Sequence, residues 1–242
     1  MYETNKNCTR LDQIRRIFDV SIALAALILL SPVILLISCA ILLESGGPVL
    51  FSQVRVGKHG RHFHILKFRK FRQKGGSFGL PLTLKDDPRM SALGRFLART
   101  KLDELPQLIN VLRGEMAIVG PRPESLDFID CFTPADRLVL EYLPGIFGPS
   151  QSAFRNECTL YPVNSDPTSF YRHVLFPIKV SVDLAYYPNR SFLSDLKWIF
   201  AGVLTVLGLP GIATMPSLRV PLAAAHKIRS DGDRLRRMQM QG

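Results

Sequence analysis

VSIALAALILLSPVILLISCAILL, residues 20–43, runs for 24 residues without a charge and is closed by Asp19 and Glu44. At 1.5 Å of rise per residue, about 20 apolar residues span a hydrocarbon core, so the first reading is one transmembrane helix. Ser31-Pro32 lies near the middle of the run. Proline there removes a helical hydrogen bond and clashes with the preceding turn, so the helix kinks or breaks. The Ser31 hydroxyl can satisfy a freed carbonyl. Lys6, Arg10, Arg15 and Arg16 precede the run, and a strongly basic stretch follows it. Lys- and Arg-rich flanks prefer the cytoplasmic side, and both flanks qualify. Two geometries stay open: a kinked spanning helix, toward which the residues alone lean, and a re-entrant helix that breaks at Pro32 and returns. The run is too long for a cleaved signal peptide and has no small-residue cleavage site after it.

The whole chain has 242 residues, 47% of them apolar, with 31 Lys and Arg against 20 Asp and Glu, a net charge of +11. That excludes a disordered chain and leaves one domain, or two at most, with ample length for a core. Cys8, Cys39, Cys131 and Cys158 are widely spaced with no CxxC, which points to free thiols in a reducing compartment. The charge is concentrated. Between Arg55 and Arg113 there are 14 Lys and Arg against 4 Asp and Glu, a net of +10. Such a field calls for a polyanionic partner: nucleic acid, lipid headgroups or a phosphorylated substrate.

Ser45-Gly46-Gly47-Pro48 ends the apolar run as a turn. VLFSQVRVG (49–57) and RHFHILKF (61–68) alternate apolar and polar residues around Gly57-Lys58-His59-Gly60 and predict an antiparallel hairpin. Residues 74–80 read as a glycine-rich loop. SALGRFLART (91–100) predicts a short basic amphipathic helix, and 104–112 a second, starting near Asp103 and ended by Gly114. GPRP (120–123) is a rigid turn, and 144–149 reads as loop. Residues 169–187 and 191–208 both predict helices. The second carries Trp198 at the head of a 12-residue apolar stretch, too short to span and suited to an interface. From Ser217 the chain is polar and basic, a tail or surface helix. The expected fold is α+β, mainly helical with a small antiparallel hairpin. The expected divisions are a membrane helix over 1–45, a cytoplasmic domain with interfacial helices over 46–212 and a basic tail over 213–242.

Asp103-Glu104 is the densest acidic signal inside the basic stretch. The bland reading makes Asp103 a helix N-cap and Glu104 a first-turn residue, with Pro106 tolerated there. The functional reading uses the same neighbours. A carboxylate beside Arg95, Arg99, Lys101 and Arg113 keeps a low pKa and can act as nucleophile or metal ligand while the cations hold phosphate oxygens. His59, His62 and His64 lack a third well-placed ligand, and a solvated strand face explains them better than a metal. Glycines 75, 76 and 79 are not followed by GK[ST], and neither GxSxG nor HExxH occurs. Phe63, Phe68 and Phe71 interleave with Lys and Arg as in a nucleic-acid stacking surface, but they also alternate as buried strand residues should. Lipid headgroups are a nearer polyanion.

DPRMSALGRFLARTKLDELPQLINVLRGEMAIVGPRPE (87–124) resembles the bacterial sugar transferases, the monotopic phosphoglycosyl transferases. So do GGPVLFSQVRVGKHGRHFHILKFR, PGIFGPSQSAFRNE, NRSFLSDLKWI and the Ser31-Pro32 break, over roughly residues 10–208. The resemblance implies transfer of a sugar 1-phosphate from a UDP-sugar to polyprenyl phosphate at the cytoplasmic face of the bacterial inner membrane, with loss of UMP. It implies magnesium, a covalent phosphosugar intermediate, no nucleic-acid partner and a re-entrant Ser31-Pro32 helix in contact with membrane lipids, and it is compatible with a homodimer. Carried onto this chain, Asp103 is the nucleophile and Glu104 helps hold magnesium. Arg122, in the turn formed with Pro121 and Pro123, contacts the nucleotide, and Lys67 and Arg69 lie at the site. Four positions depart from the family pattern. Lys70-Phe71 stands where Thr or Ser and then Met are usual, Ala98 stands for an arginine whose charge Arg99 or Lys101 could supply, and Phe147 interrupts the usual GITG turn. The departures at Lys70 and Ala98 motivate a rival reading as a non-catalytic membrane adaptor that kept the fold, and the basic patch motivates a membrane-associated nucleic-acid binder.

Overall fold

The protein is described by a computed structural model over residues 3–72, 82–84, 87–162 and 166–206. Two helices open it, α1 (Glu3–Leu29) and α2 (Ser31–Ser45). They meet at 61°. The break falls where Pro32 occupies the first turn of α2, the one helical position that needs no N–H. Ser31 Oγ donates to the Ile28 carbonyl at 2.8 Å. No single helix among the described residues is long and apolar enough to cross a membrane; the bent pair together is. Its outer surface is greasy: Leu24, Ile28, Leu29, Leu35, Leu36, Leu42 and Leu43 are all exposed, a patch that water does not favour.

The predicted hairpin forms. β1 (Leu50–Val56) and β2 (His62–Phe68) pair antiparallel from Leu50 opposite Phe68 to Val56 opposite His62. Alternation works over the first half of β2: Phe63 and Ile65 are buried, His62 and His64 exposed, while Phe68, on the opposite face, is buried among Ile37, Ile41 and Leu97. The bland reading of those histidines holds. Next comes α3 (Ala92–Thr100), capped by the Ser91 hydroxyl, which accepts from Gly94 N–H at 2.8 Å. α4 (Gln107–Arg113) ends on Gly114, whose φ of 81° makes the left-handed cap.

Residues 144–149 are not simply loop. β4 (Gly145–Phe147) pairs parallel with β3 (Ala117–Val119), Ala117 opposite Gly145 and Val119 opposite Phe147. The approach demands glycine: a Cβ on Gly145 would sit 2.0 Å from Gly120 N. Proline and glycine read as loop locally, while the pairing partner lies far away in sequence. After the short helices α5 (Pro149–Ala153) and α6 (Pro167–Phe170), a π-turn over Tyr171–Leu175 leads into α7 (Phe176–Tyr186). α8 (Phe192–Val206) buries Trp198 against Tyr186, ring centroids 5.7 Å apart, and leaves Phe192, Leu193, Phe200 and Val203 exposed. The tryptophan therefore serves the core, not the exposed side of α8. The glycine-rich loop and the basic tail lie outside the described residues. Cys39, Cys131 and Cys158 are free thiols.

One apolar cluster joins α1, β2, α4, β3 and α8 through Ala23, Phe63, Ile65, Leu108, Val111, Ile118 and Trp198. Another joins α2, β2 and α3 through Ile37, Ile41, Phe68 and Leu97. β2 belongs to both, and the Asp-Glu pair lies in the chain between α3 and α4. Polar anchors fasten α1 to this body. Arg16 donates to the Val111 and Leu112 carbonyls at 2.6 and 3.0 Å, covering the C-terminus of α4, and Asp19 Oδ1 accepts from Ile118 N–H at 3.1 Å.

Candidate active site

Lys101 leaves α3 in the left-handed conformation, φ 62°, and the chain makes a 3-10 turn over Leu102–Glu104 before Pro106 starts α4. Asp103 caps neither helix, so the N-cap reading fails. Asp103 is 2% exposed, and its Oδ1 is buried with no hydrogen-bond partner among the described residues. A buried carboxylate oxygen without a partner is costly. In a native fold such an atom marks a place for a ligand, an ion or a reacting group.

Three elements bring cations to the pair. From β2, Lys67 Nζ donates to Glu104 Oε1 at 2.8 Å. Just past β2, Lys70 Nζ lies 3.9 Å from Asp103 Oδ2. Lys101 and Arg122 add their fields. Burial pushes Glu104 up, but Lys67, Lys101 and Arg122 outweigh it and hold its carboxyl well below the usual range. Asp103 goes the other way. Burial and the neighbouring Glu104 charge raise it, against Lys67 and Lys70. The expected low pKa thus belongs to Glu104, and Asp103 is the more basic of the two. Burial lowers Lys67 to about 8 despite its partner.

An open cleft of about 260 Å³ reaches the pair at Glu104 and is lined also by Arg55, Lys67, Gln107, Arg122, Pro123 and Gln151. A second, about 410 Å³, lies beyond the PRP turn and shares Arg122 and Pro123 with the first; Pro121, Glu124 and Lys179 line it too. Arg122 stands between them. Burial works against its charge, and Glu104, Glu157 and Glu124 outweigh that, so the guanidinium is firmly protonated. Behind it, Lys179 bonds Glu157 Oε2 and Tyr171 OH, both at 2.9 Å, and Tyr171 donates to Glu124 Oε2 at 2.6 Å. This buried network satisfies its members mutually.

Two expected site residues are used elsewhere. The Arg69 guanidinium is bonded to the end of α2, to Gly47 O at 3.0 Å, to Ser45 Oγ at 2.7 Å and to Gly46 O. Carbonyls at a helix C-terminus lack partners, and a buried arginine meets that need. Arg99 is exposed on α3, and its backbone carbonyl accepts from Arg155 at 3.2 Å. The field of Glu104 reaches Arg155, so Arg155 and Arg55 are site cations that sequence reasoning passed over, and Lys70, noted there only as a departure from the family pattern, is a third. A basic stretch has no face until it folds, which is why spacing could not single them out. Asn110 was also missed, although it lies in the NVL of the quoted block; its carboxamide ties α4 to β2 through Leu66 N–H and His64 O.

The donor set suits a hard cation in one respect. It offers two adjacent carboxylates, one with an unpartnered oxygen, and among the described residues no group of three His, Cys, Asp or Glu could hold a metal. Magnesium is often held by one or two carboxylates with phosphate oxygens completing the shell.

The bacterial sugar transferase family profile matches residues 10–208. The exopolysaccharide production protein ExoY of Sinorhizobium fredii is 34% identical over 201 residues, covering 77% of this chain and 82% of its own. The UDP-N-acetylgalactosamine-undecaprenyl-phosphate N-acetylgalactosaminephosphotransferase of Aeromonas hydrophila is 36% identical over 200 residues, 80% of this chain and 44% of its own. The UDP-glucose:undecaprenyl-phosphate glucose-1-phosphate transferase of Escherichia coli is 35% identical over 198 residues, 78% of this chain and 39% of its own. This chain therefore spans less than half of those last two proteins. A match over nearly all of the described fold, Asp-Glu turn and PRP turn included, places the chain among the bacterial sugar transferases.

Proposed function

We propose that this protein transfers a sugar 1-phosphate from a UDP-sugar to polyprenyl phosphate at the cytoplasmic face of the bacterial inner membrane, starting assembly of a surface polysaccharide. The observation that carries this reading is Asp103: a buried carboxyl with one unpartnered oxygen, set among lysines next to Glu104, which lines a cleft together with Arg55, Lys67 and Arg122.

An Asp103 oxygen attacks the β-phosphorus of the UDP-sugar. The new O–P bond replaces the bond to the bridging oxygen, which leaves with its electron pair as UMP. An oxygen of polyprenyl phosphate then attacks the same phosphorus, and the Asp103–phosphorus bond breaks to restore the carboxylate. No proton is consumed in either step. The higher basicity of Asp103 suits it to the nucleophile's role, and Glu104, ionised and tied to Lys67, is the poorer one. Arg122 and Lys67 would hold diphosphate oxygens, the geometry at which cations are most effective in phosphoryl transfer. Glu104, with Asp103 beside it, would hold magnesium together with substrate phosphate; when bound, that ion neutralises phosphate charge.

The membrane part of the reading is a re-entrant α1–α2 pair. The 61° bend at Pro32, the basic flanks on both sides and the exposed leucines support it. A helix pair that returns to its side of entry keeps the soluble site at headgroup height, where a polyprenyl phosphate presents its charge.

The test is a panel of UDP-sugars with undecaprenyl phosphate and magnesium, using the full chain in membranes. One donor should release UMP, and rapid quenching should trap a phosphosugar mass on Asp103. D103N should release none. A non-catalytic adaptor would release no UMP with any donor, and turnover without an adduct would refute the covalent route.

A further inference from the structure

We infer that Lys70 is a further catalytic residue, the cation that holds the donor's β-phosphate against Asp103. The inference rests on the function proposed above and concerns the same site. Lys67 and Lys70 both approach the acidic pair, but they are not equivalent. Lys67 is matched by Glu104 at 2.8 Å, a direct charge-assisted hydrogen bond. Lys70 Nζ stands 3.9 Å from Asp103 Oδ2, beyond hydrogen-bond length. It pairs with the carboxylate by field, lies over the Phe71 ring at 5.4 Å from the centroid, and keeps its donors for another group. Its side chain is 19% exposed where that of Asp103 is 4%, so Lys70 is the more accessible of the two to an incoming anion.

The backbone of Lys70 is clamped while its ammonium is not. Its carbonyl accepts from Ser91 N–H at 3.1 Å, and Gly94 of α3 lies so close that a Cβ there would come within 2.0 Å of that oxygen. Ala98 falls one turn further along the same face of α3 and ends in a methyl. Arg99, the other candidate for a cation here, is exposed. Lys67 and Lys101 also act on Asp103 through their fields, but Lys70 is the cation that stands within ion-pair distance of its carboxylate.

The chemistry requires one. A carboxylate attacking a diphosphate brings two anions together in a low-dielectric pocket, where a fixed positive charge is worth far more than in water. Burial disfavours the Lys70 charge, so its ammonium gains from each phosphate oxygen that arrives. When the aspartyl–phosphorus bond forms, Lys70 exchanges one partner for another, from the carboxylate to the anionic oxygen of the acyl phosphate. It gives up no proton.

UDP carries the β-phosphate and UMP lacks it, so the two nucleotides isolate the contact without knowledge of the sugar. Binding of each to the full chain in detergent, with magnesium present throughout, is measured for the natural protein, K70M, K70Q and K70R. K70M and K70Q should bind UDP about tenfold more weakly, the worth of one charge-assisted hydrogen bond, and UMP as before. K70R should recover most of the loss. The ratio of the two affinities is internal to each variant, so reduced stability does not imitate the effect. UDP binding unchanged in both K70M and K70Q, or UDP and UMP weakened together, would overturn the role of Lys70. Failure of the natural protein to bind either nucleotide would instead strike the proposed function.

Discussion

The carboxamide of Asn110 grips the backbone of Leu66: Leu66 N–H donates to Asn110 Oδ1 at 3.0 Å, and Asn110 Nδ2 donates to the carbonyl of His64 at 2.7 Å and to Glu115 Oε2 at 2.6 Å. Asn110 is wholly buried. It fastens α4 to β2 one residue before Lys67, and so sets the distance between Lys67 and Glu104. N110A removes these bonds and leaves a strand N–H and C=O unsatisfied. We expect a loss of about 2–3 kcal/mol and a fall in turnover, read by urea unfolding and by UMP release.

Glu104 is a half-buried acid held ionised by its neighbours. E104Q keeps the shape and removes the charge, so Lys67 loses its counter-ion, and magnesium held as proposed would lose a ligand. We expect lower activity and a weaker dependence of the initial rate on magnesium. A magnesium titration that superimposes on the natural protein's would count against Glu104 as a metal holder.

Arg69 ties the end of α2 to the residue that follows β2. R69M frees several buried carbonyls at once. Its effect should fall on stability, by about 1–3 kcal/mol, with UDP affinity preserved. A variant of normal stability that had lost UDP binding would return Arg69 to the substrate site.

Asp183 is buried beneath Ser150, accepting from its N–H at 3.2 Å and its hydroxyl at 2.8 Å. Burial pushes its carboxyl up to about 7, from 3.8. The native state therefore binds a proton more tightly than the unfolded chain does. The stabilisation is complete below pH 3.8 and is lost as pH rises toward 7. We expect D183N, which stays neutral, to flatten this decline by an amount on the order of a few kcal/mol. Unfolding midpoints from pH 4 to 8 for both proteins would show it, and parallel curves would refute it.

Much of this molecule is legible from local pattern. The alternation in 49–68 reports a hairpin because side chains on a strand take opposite faces, and the structure pairs it from Leu50 to Val56. Ser91 and Gly114 mark helix ends because their side chain and its absence, respectively, meet specific backbone needs. Asp103-Glu104 stood out because two acids within a +10 stretch are conspicuous in any conformation. The parallel pairing of β3 with β4, by contrast, joins segments separated by two 3-10 turns, and no window of sequence contains both.

The sequence by itself determined that this chain opens on a long apolar run, breaks it at Pro32, forms a hairpin and carries an acidic pair amid cations, because periodicity, turn chemistry and composition act over a few residues. Only the tertiary structure decided that the break bends by 61°, that Arg69 serves α2 while Lys70 faces Asp103, and that Asp103 is buried with an unpartnered oxygen. Those outcomes depend on which remote segments pack together. Burial and field at a side chain are sums over neighbours that the chain brings close only by folding.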